Sequence, residues 1–192
     1  MRPIHIPDKD ETVLFFTALT LIGLLIGCGE KEPDLSNLIT HQLGEIVFDY
    51  PGNWKITEDS LTVTIHNVII ETPGDALVII QSYPLEIAKE LKVLSREFSE
   101  IAENSAPLGS IHKSVFAELP QQWGYDWIAE DFEIAFLGES LPHKRLYGSK
   151  EVGDSKIFLI LQAPGADYHK VKKGFHLIVK SLTGDRKNHK NQ

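Results

Sequence analysis

The sequence carries eight histidines and one cysteine, the residue types from which metal centres and nucleophilic sites are most often built. His169 and His176 stand seven apart in a segment of helical periodicity, hence on one face but about 10 Å apart along the axis. Two imidazoles so separated do not reach one ion, and no histidine pair has the spacing of three or four used by HExxH-type motifs. His66 and His112 fall in separate extended segments, and sequence leaves open whether a sheet brings them together. No GxSxG elbow and no serine in a recognisable strained turn is present, and Cys28 alone allows neither an internal disulfide nor a multi-cysteine zinc site. The glycines of Pro51-Gly52, Pro73-Gly74 and Pro164-Gly165 read as turn glycines, without GxGxxG or P-loop spacing. Glu130, Asp131 and Glu133 form an acidic group beside a strand, which reads as a solvated edge that discourages sheet pairing rather than a catalytic dyad. The expectation is a protein with no catalytic residues, no metal site and no cofactor.

One chemical role is expected of Cys28. It directly follows the uncharged run VLFFTALTLIGLLIG, Val13 to Gly27. Fifteen residues is the length of an export signal's apolar segment, whereas a bilayer span needs about 20. A buried core helix with an ordinary buried thiol is the alternative. Leu25, Ile26, Gly27 and Cys28 resemble a bacterial lipobox, which implies cleavage before Cys28 and lipid on its thiol and freed amine. Each buried methylene contributes about 0.8 kcal/mol and a single chain holds only marginally, so two or three chains are needed for stable attachment. The segment before the run departs from the usual net positive charge, since Arg2 and Lys9 are joined by Asp8, Asp10 and Glu11. Gly29 implies, by the same resemblance, no retention at the inner membrane, and so the outer membrane where the cell has one.

The remaining composition is that of one globular domain: 192 residues, 42% hydrophobic and 24% charged. A net charge of −8 argues against nucleic acid, whose binders carry a basic face.

The elements that would position any site follow from periodicity. Glu45 to Tyr50 reads as a strand, Tyr50-Pro51-Gly52-Asn53 as a type II turn, and Trp54 to Ile56 as a return strand. Leu61, Val63 and Ile65 alternate with Thr62, Thr64 and His66, which predicts a strand with one buried face. Val68 to Glu71 and Ala76 to Ser82 predict a hairpin around Thr72-Pro73-Gly74-Asp75. Ile87, Leu91, Leu94, Phe98 and Ile101 form one stripe of an amphipathic helix. Ser110 to Glu118, the surroundings of Phe132 to Phe136, and Arg145 to Val152 read as strands. Ile157 to Leu161 reads as a strand covered on both faces, and Tyr168 to Leu182 as a last helix. Strands, helix, strands, helix is the order of an α+β domain with an antiparallel sheet. Between the strands lies the aromatic cluster Trp123, Tyr125 and Trp127. Its rings either line the core or form an interface anchor.

Ile46 to Trp54 (IVFDYPGNW) resembles the opening of the PsbP, Mog1 and DcrB-like group, and Phe158 to Leu182 resembles how those domains close. The resemblance implies an α/β/α sandwich around a central antiparallel sheet. It implies no shared catalytic site, because the group includes photosystem extrinsic subunits, a nuclear-transport accessory protein and envelope lipoproteins. The resulting plan is a signal peptide over 1–27, lipidated cysteine and tether over 28–44, a PsbP/Mog1-like domain over 45–183 and a flexible basic tail over 184–192. The expected function is that of a lipid-anchored envelope accessory protein that binds an unknown protein or stabilises a membrane-associated assembly. A ligand- or metal-carrying lipoprotein is the alternative.

Overall fold

The computed structural model describes residues 31–44, 46–105, 110–136 and 138–184. The expected signal peptide, Cys28 and all of the expected tail except Gly184 lie outside the described residues.

Ten strands and two helices are formed among them: β1 (Leu38–Leu43), β2 (Ile46–Pro51), β3 (Lys55–Leu61), β4 (His66–Glu71), β5 (Leu77–Pro84), α1 (Leu91–Ser105), β6 (Ser110–Gln122), β7 (Tyr125–Phe136), β8 (Glu139–Val152), β9 (Ser155–Pro164), α2 (Tyr168–Ser181) and β10 (Thr183–Gly184). Seven strands make one antiparallel sheet in the order β3-β4-β5-β9-β8-β7-β6, and β1-β2-β10 make a smaller one. The expected α+β character is thus present, with antiparallel pairing throughout.

Two cores use alternate residues of the same strands, because successive side chains of a strand point to opposite faces. Val78, Ile80, Ile157, Leu159 and Leu161 pack with Val171, Phe175, Ile178 and Val179 of α2 and with Phe48 and Tyr50 of β2. Ile79, Phe158 and Ile160 pack with Leu91, Leu94 and Phe98 of α1. The run Ile157 to Leu161 is therefore buried residue by residue, as its unbroken apolar character requires.

Four local expectations are corrected. Leu38–Leu43, assigned to the tether, pair with β2 in register Leu43↔Ile46 to Leu38↔Pro51. Gly184, assigned to the tail, pairs with Ile46. Leu61 to Ile65 is not a half-buried strand but the end of β3 and the loop to β4, closed by the Thr62 N–H donating to the Ile65 carbonyl at 2.9 Å. Val63 there is fully exposed, and the buried alternation belongs to Val68 and Ile70 instead. Ile87 precedes α1 and is half exposed, since β5 runs on to Pro84.

The Pro51-Gly52 turn also differs from type II. The Trp54 N–H donates to the Pro51 carbonyl at 3.0 Å, one residue later than predicted, and Gly52 is not among the glycines with positive φ. Glycine is required there by close approach: a Cβ would sit 2.4 Å from the Asn37 carbonyl oxygen.

Candidate functional site

The aromatic cluster forms the end of the β6–β7 hairpin. Trp123 (φ 55°) and Gly124 (φ 77°) are its two loop residues, and Gln122 pairs with Tyr125. Two consecutive positive φ values make the type I′ turn whose twist suits a two-residue hairpin, and glycine takes the second at no cost. Tryptophan takes the first against its preference. Its half-buried ring lies edge-on to His176 of α2 at 4.9 Å, and the Lys180 ammonium sits 5.1 Å from its centroid.

The neighbouring rings go inward. Tyr125 is wholly buried and Trp127 nearly so, so both line the core and neither is available as a surface anchor. Trp127 donates its indole N–H to the Gln122 carbonyl at 3.2 Å and lies on β8 where Gly148 leaves room, a Cβ at 148 falling 2.6 Å from its ring. The Tyr125 hydroxyl has no hydrogen-bond partner among the described residues, and burial pushes its pKa up.

The acidic group on β7 is divided by the sheet. Asp131 pairs with Lys144 at 3.2 Å and Glu133 with Lys113 at 3.0 Å, both at the surface as expected. The Ser140 hydroxyl and Lys113 hold Glu133 below the usual carboxylate range. Glu130 instead is fully buried, which corrects its reading as a solvated edge acid. Its Oε1 accepts from Ser99 of α1 at 2.5 Å, and its Oε2 accepts from Arg145 and from the Tyr147 hydroxyl, each at 2.7 Å. Arg145, 1% exposed, donates its Nε–H to Gln162 at 2.8 Å and stands 4.4 Å over the Phe132 ring. Sequence carried one trace of this network: Glu130 is in phase with the inward-facing Ile128 and Phe132. Every named donor and acceptor is internal, and the network ties α1 to three strands.

The described histidines do not assemble as a metal set. His66 and His112 lie on β4 and β6, five strands apart and so roughly 24 Å across the sheet. His66 meets Asp59 of β3 at 2.7 Å, and His41 of β1 approaches the other oxygen of the same carboxylate at 3.2 Å. Among the described residues no group of three or more His, Cys, Asp and Glu is arranged to hold a metal ion. His169 is exposed and His176 lies under Trp123, where burial and then Lys172 and Lys180 lower its pKa.

A groove of about 440 Å³ opens where β6, β7 and β8 meet the loop before α2, lined by Lys113, Val115, Phe132, His143, Lys144 and Tyr168 among others. Burial lowers the His143 pKa there, against the opposing pull of the Leu141 carbonyl, which lies 3.0 Å from its Nδ1.

No helix among the described residues is long and apolar enough to cross a membrane.

No family model matches the sequence, and no curated protein matches it significantly. Solved structures do. The chain superimposes on LpqN, involved in cell envelope biogenesis of Mycobacterium tuberculosis, with TM-score 0.40 at 12% identity over 77% of this chain and 90% of that one. With PA94 of Pseudomonas aeruginosa the values are 0.38 and 16%, over 77% and 96%. With the cyanobacterial PsbP protein CyanoP from Synechocystis sp. PCC 6803 the TM-score is 0.52 at 13% identity, over 84% of this chain and 99% of that one. The fold of this chain is PsbP-like.

Proposed function

We propose that the chain is a bacterial lipoprotein, cut before Cys28 and held by lipid on that residue in the cell envelope, at the outer membrane of a diderm cell. Its domain, an α/β/α sandwich of the PsbP and Mog1 kind, acts without catalysis as an accessory that binds another protein or stabilises a membrane-associated assembly. The observation that carries this reading is the position of the apolar run and the lone cysteine immediately before a folded domain. Pro33 is already buried, and the Asp34 N–H donates to the Asn53 side chain at 2.8 Å. A second support is β6. This 13-residue edge strand leaves Val115 and Leu119 exposed, 65% and 41%, as a free sheet edge that accepts an added strand does.

Intact mass of the protein from its own host, together with fractionation of a Cys28→Ala variant, tests the anchor. The expected result is loss of residues 1–27, added acyl mass and release of the variant from membranes. Residues 1–27 retained on a chain with a free thiol refute it. The groove beside His143 supports a second reading, a ligand carrier. Titration calorimetry would give stoichiometric heat, abolished by His143→Ala, for that reading and no heat for the accessory one.

A further inference from the structure

Charge in this chain is segregated in a way its net value hides. Residues 168–192 hold seven of the 19 Lys and Arg and one acid, Asp185, so the rest of the chain carries 12 basic and 26 acidic residues. Within that stretch α2 has no acidic residue. Its buried side is spent on the core through Val171, Gly174, Phe175, Ile178 and Val179. Its outer side presents His169, Lys172, Lys173 and Lys180 to solvent, with His176 half-buried beside Trp123. Trp123, held at an unfavourable φ, thus stands within a cationic surface.

The chain's approach to this surface is short. Pro33 lies against α2 so closely that a Cβ on Gly174 would come within 3.1 Å of it, and Glu32 pairs with Lys173 at 3.4 Å. Only three residues separate Glu32 from Cys28, four steps of chain with a reach of at most about 14 Å. A lipid on Cys28 therefore keeps the bilayer surface within that reach of the middle of α2. The indole suits any headgroup region, whereas Lys172 and Lys180, with Lys173 beside its Glu32 partner, gain only from anionic headgroups.

We propose that the outer face of α2, with Trp123 at its edge, docks on anionic lipid headgroups and fixes how the anchored domain sits on the membrane. This rests on the anchor reading above. Its occupant is a lipid surface and not an acidic protein, because the chain that enters at α2 is the one that carries the lipid.

The test uses the full chain as purified from bacterial membranes, reconstituted in phosphatidylcholine vesicles with or without about 30% phosphatidylglycerol and probed by amine labelling with mass-spectrometric readout. Each lysine held at an anionic surface tightens the contact roughly fivefold. Labelling of Lys172 and Lys180 is expected to slow at least about fivefold in the anionic vesicles only, while Lys92 on α1 is unchanged. Added salt or the exposed-face variant K172E/K180E removes the difference. Equal labelling in both vesicles, equal protection of Lys92, or protection found in native membranes but not in protein-free anionic vesicles overturns the proposal. Intact mass of the same preparation separates the two readings. An acylated chain with unprotected lysines refutes the docking face alone, and an unacylated one refutes the anchor and this proposal with it.

Discussion

Replacing Arg145 by Met removes the guanidinium that neutralises Glu130 while keeping an unbranched apolar chain of similar reach. Three hydrogen bonds go with it, to Glu130, Gln162 and the Tyr147 hydroxyl at 2.7, 2.8 and 3.0 Å, as does the stacking over Phe132. Glu130, at 0% exposure, keeps only neutral donors, Ser99 and Tyr147. Breaking a buried pair from one side costs about 3–5 kcal/mol, because the surviving charge stays desolvated. That is a large share of the roughly 5–15 kcal/mol by which a domain is stable, and it lowers the melting temperature by about 6–20 °C at this size. Urea unfolding of a version beginning at Gly29, followed by tryptophan fluorescence, measures the loss. Adding Glu130→Leu removes the stranded charge, so the double variant is expected to be more stable than Arg145→Met alone. A loss below about 1 kcal/mol for the single variant, or a double variant weaker still, would refute the view that desolvated charge dominates here.

Other outcomes follow from the same geometry. Burial depresses the His143 pKa from its ordinary value near 6.5, so the folded state excludes a proton that the unfolded chain takes up. Stability is full above pH 6.5 and declines as pH falls below it towards the folded value; the urea midpoint should drop between about pH 7 and 5, and His143→Gln should flatten that slope. Tyr125→Phe deletes a buried hydroxyl without a hydrogen-bond partner, and its urea midpoint should be unchanged or raised by up to about 1–2 kcal/mol equivalent. Gly174→Ala puts a methyl 2.5 Å from the Trp54 ring, and thermal melts should show a loss of about 1–3 kcal/mol or more. The same substitution at Gly148, against Trp127, should behave alike.

Periodicity located both helices and most strands because those segments bury one or both faces, and burial leaves a repeat in the residues. It misplaced Leu61 to Ile65, where apolar and threonine residues alternate by chance in a loop whose shape comes from Thr62 bonding across it. β1 was invisible because four of its six residues are exposed, so its place comes from pairing with β2 rather than from apolar content. The aromatic cluster was legible as a unit, yet its sorting into Trp123 outside and Tyr125 and Trp127 inside depends on a two-residue turn and on Gly148 opposite. The Glu130–Arg145 pair lies 15 residues apart in sequence and becomes a pair only through the β7–β8 register. The basic outer side of α2 needed the fold for a different reason: its significance lies in where Pro33 enters.

β2 receives the two ends of the described fold on its two edges, β1 on one and β10 on the other. A tensile load applied at residue 31 meets the Glu32 contacts with Lys173 and Asn53 first, then those of Asp34 with Asn53 and Gly52, and then the Leu38↔Pro51 end of β1. A pull directed across the strands opens that ladder from the Leu38 end, pair after pair. Six residues released this way add about 20 Å of slack, leaving α2, with β10 on the far edge of β2, still clamped to the seven-stranded sheet. β1 is thus the first strand that a pull from the N-terminal side reaches, ahead of the core.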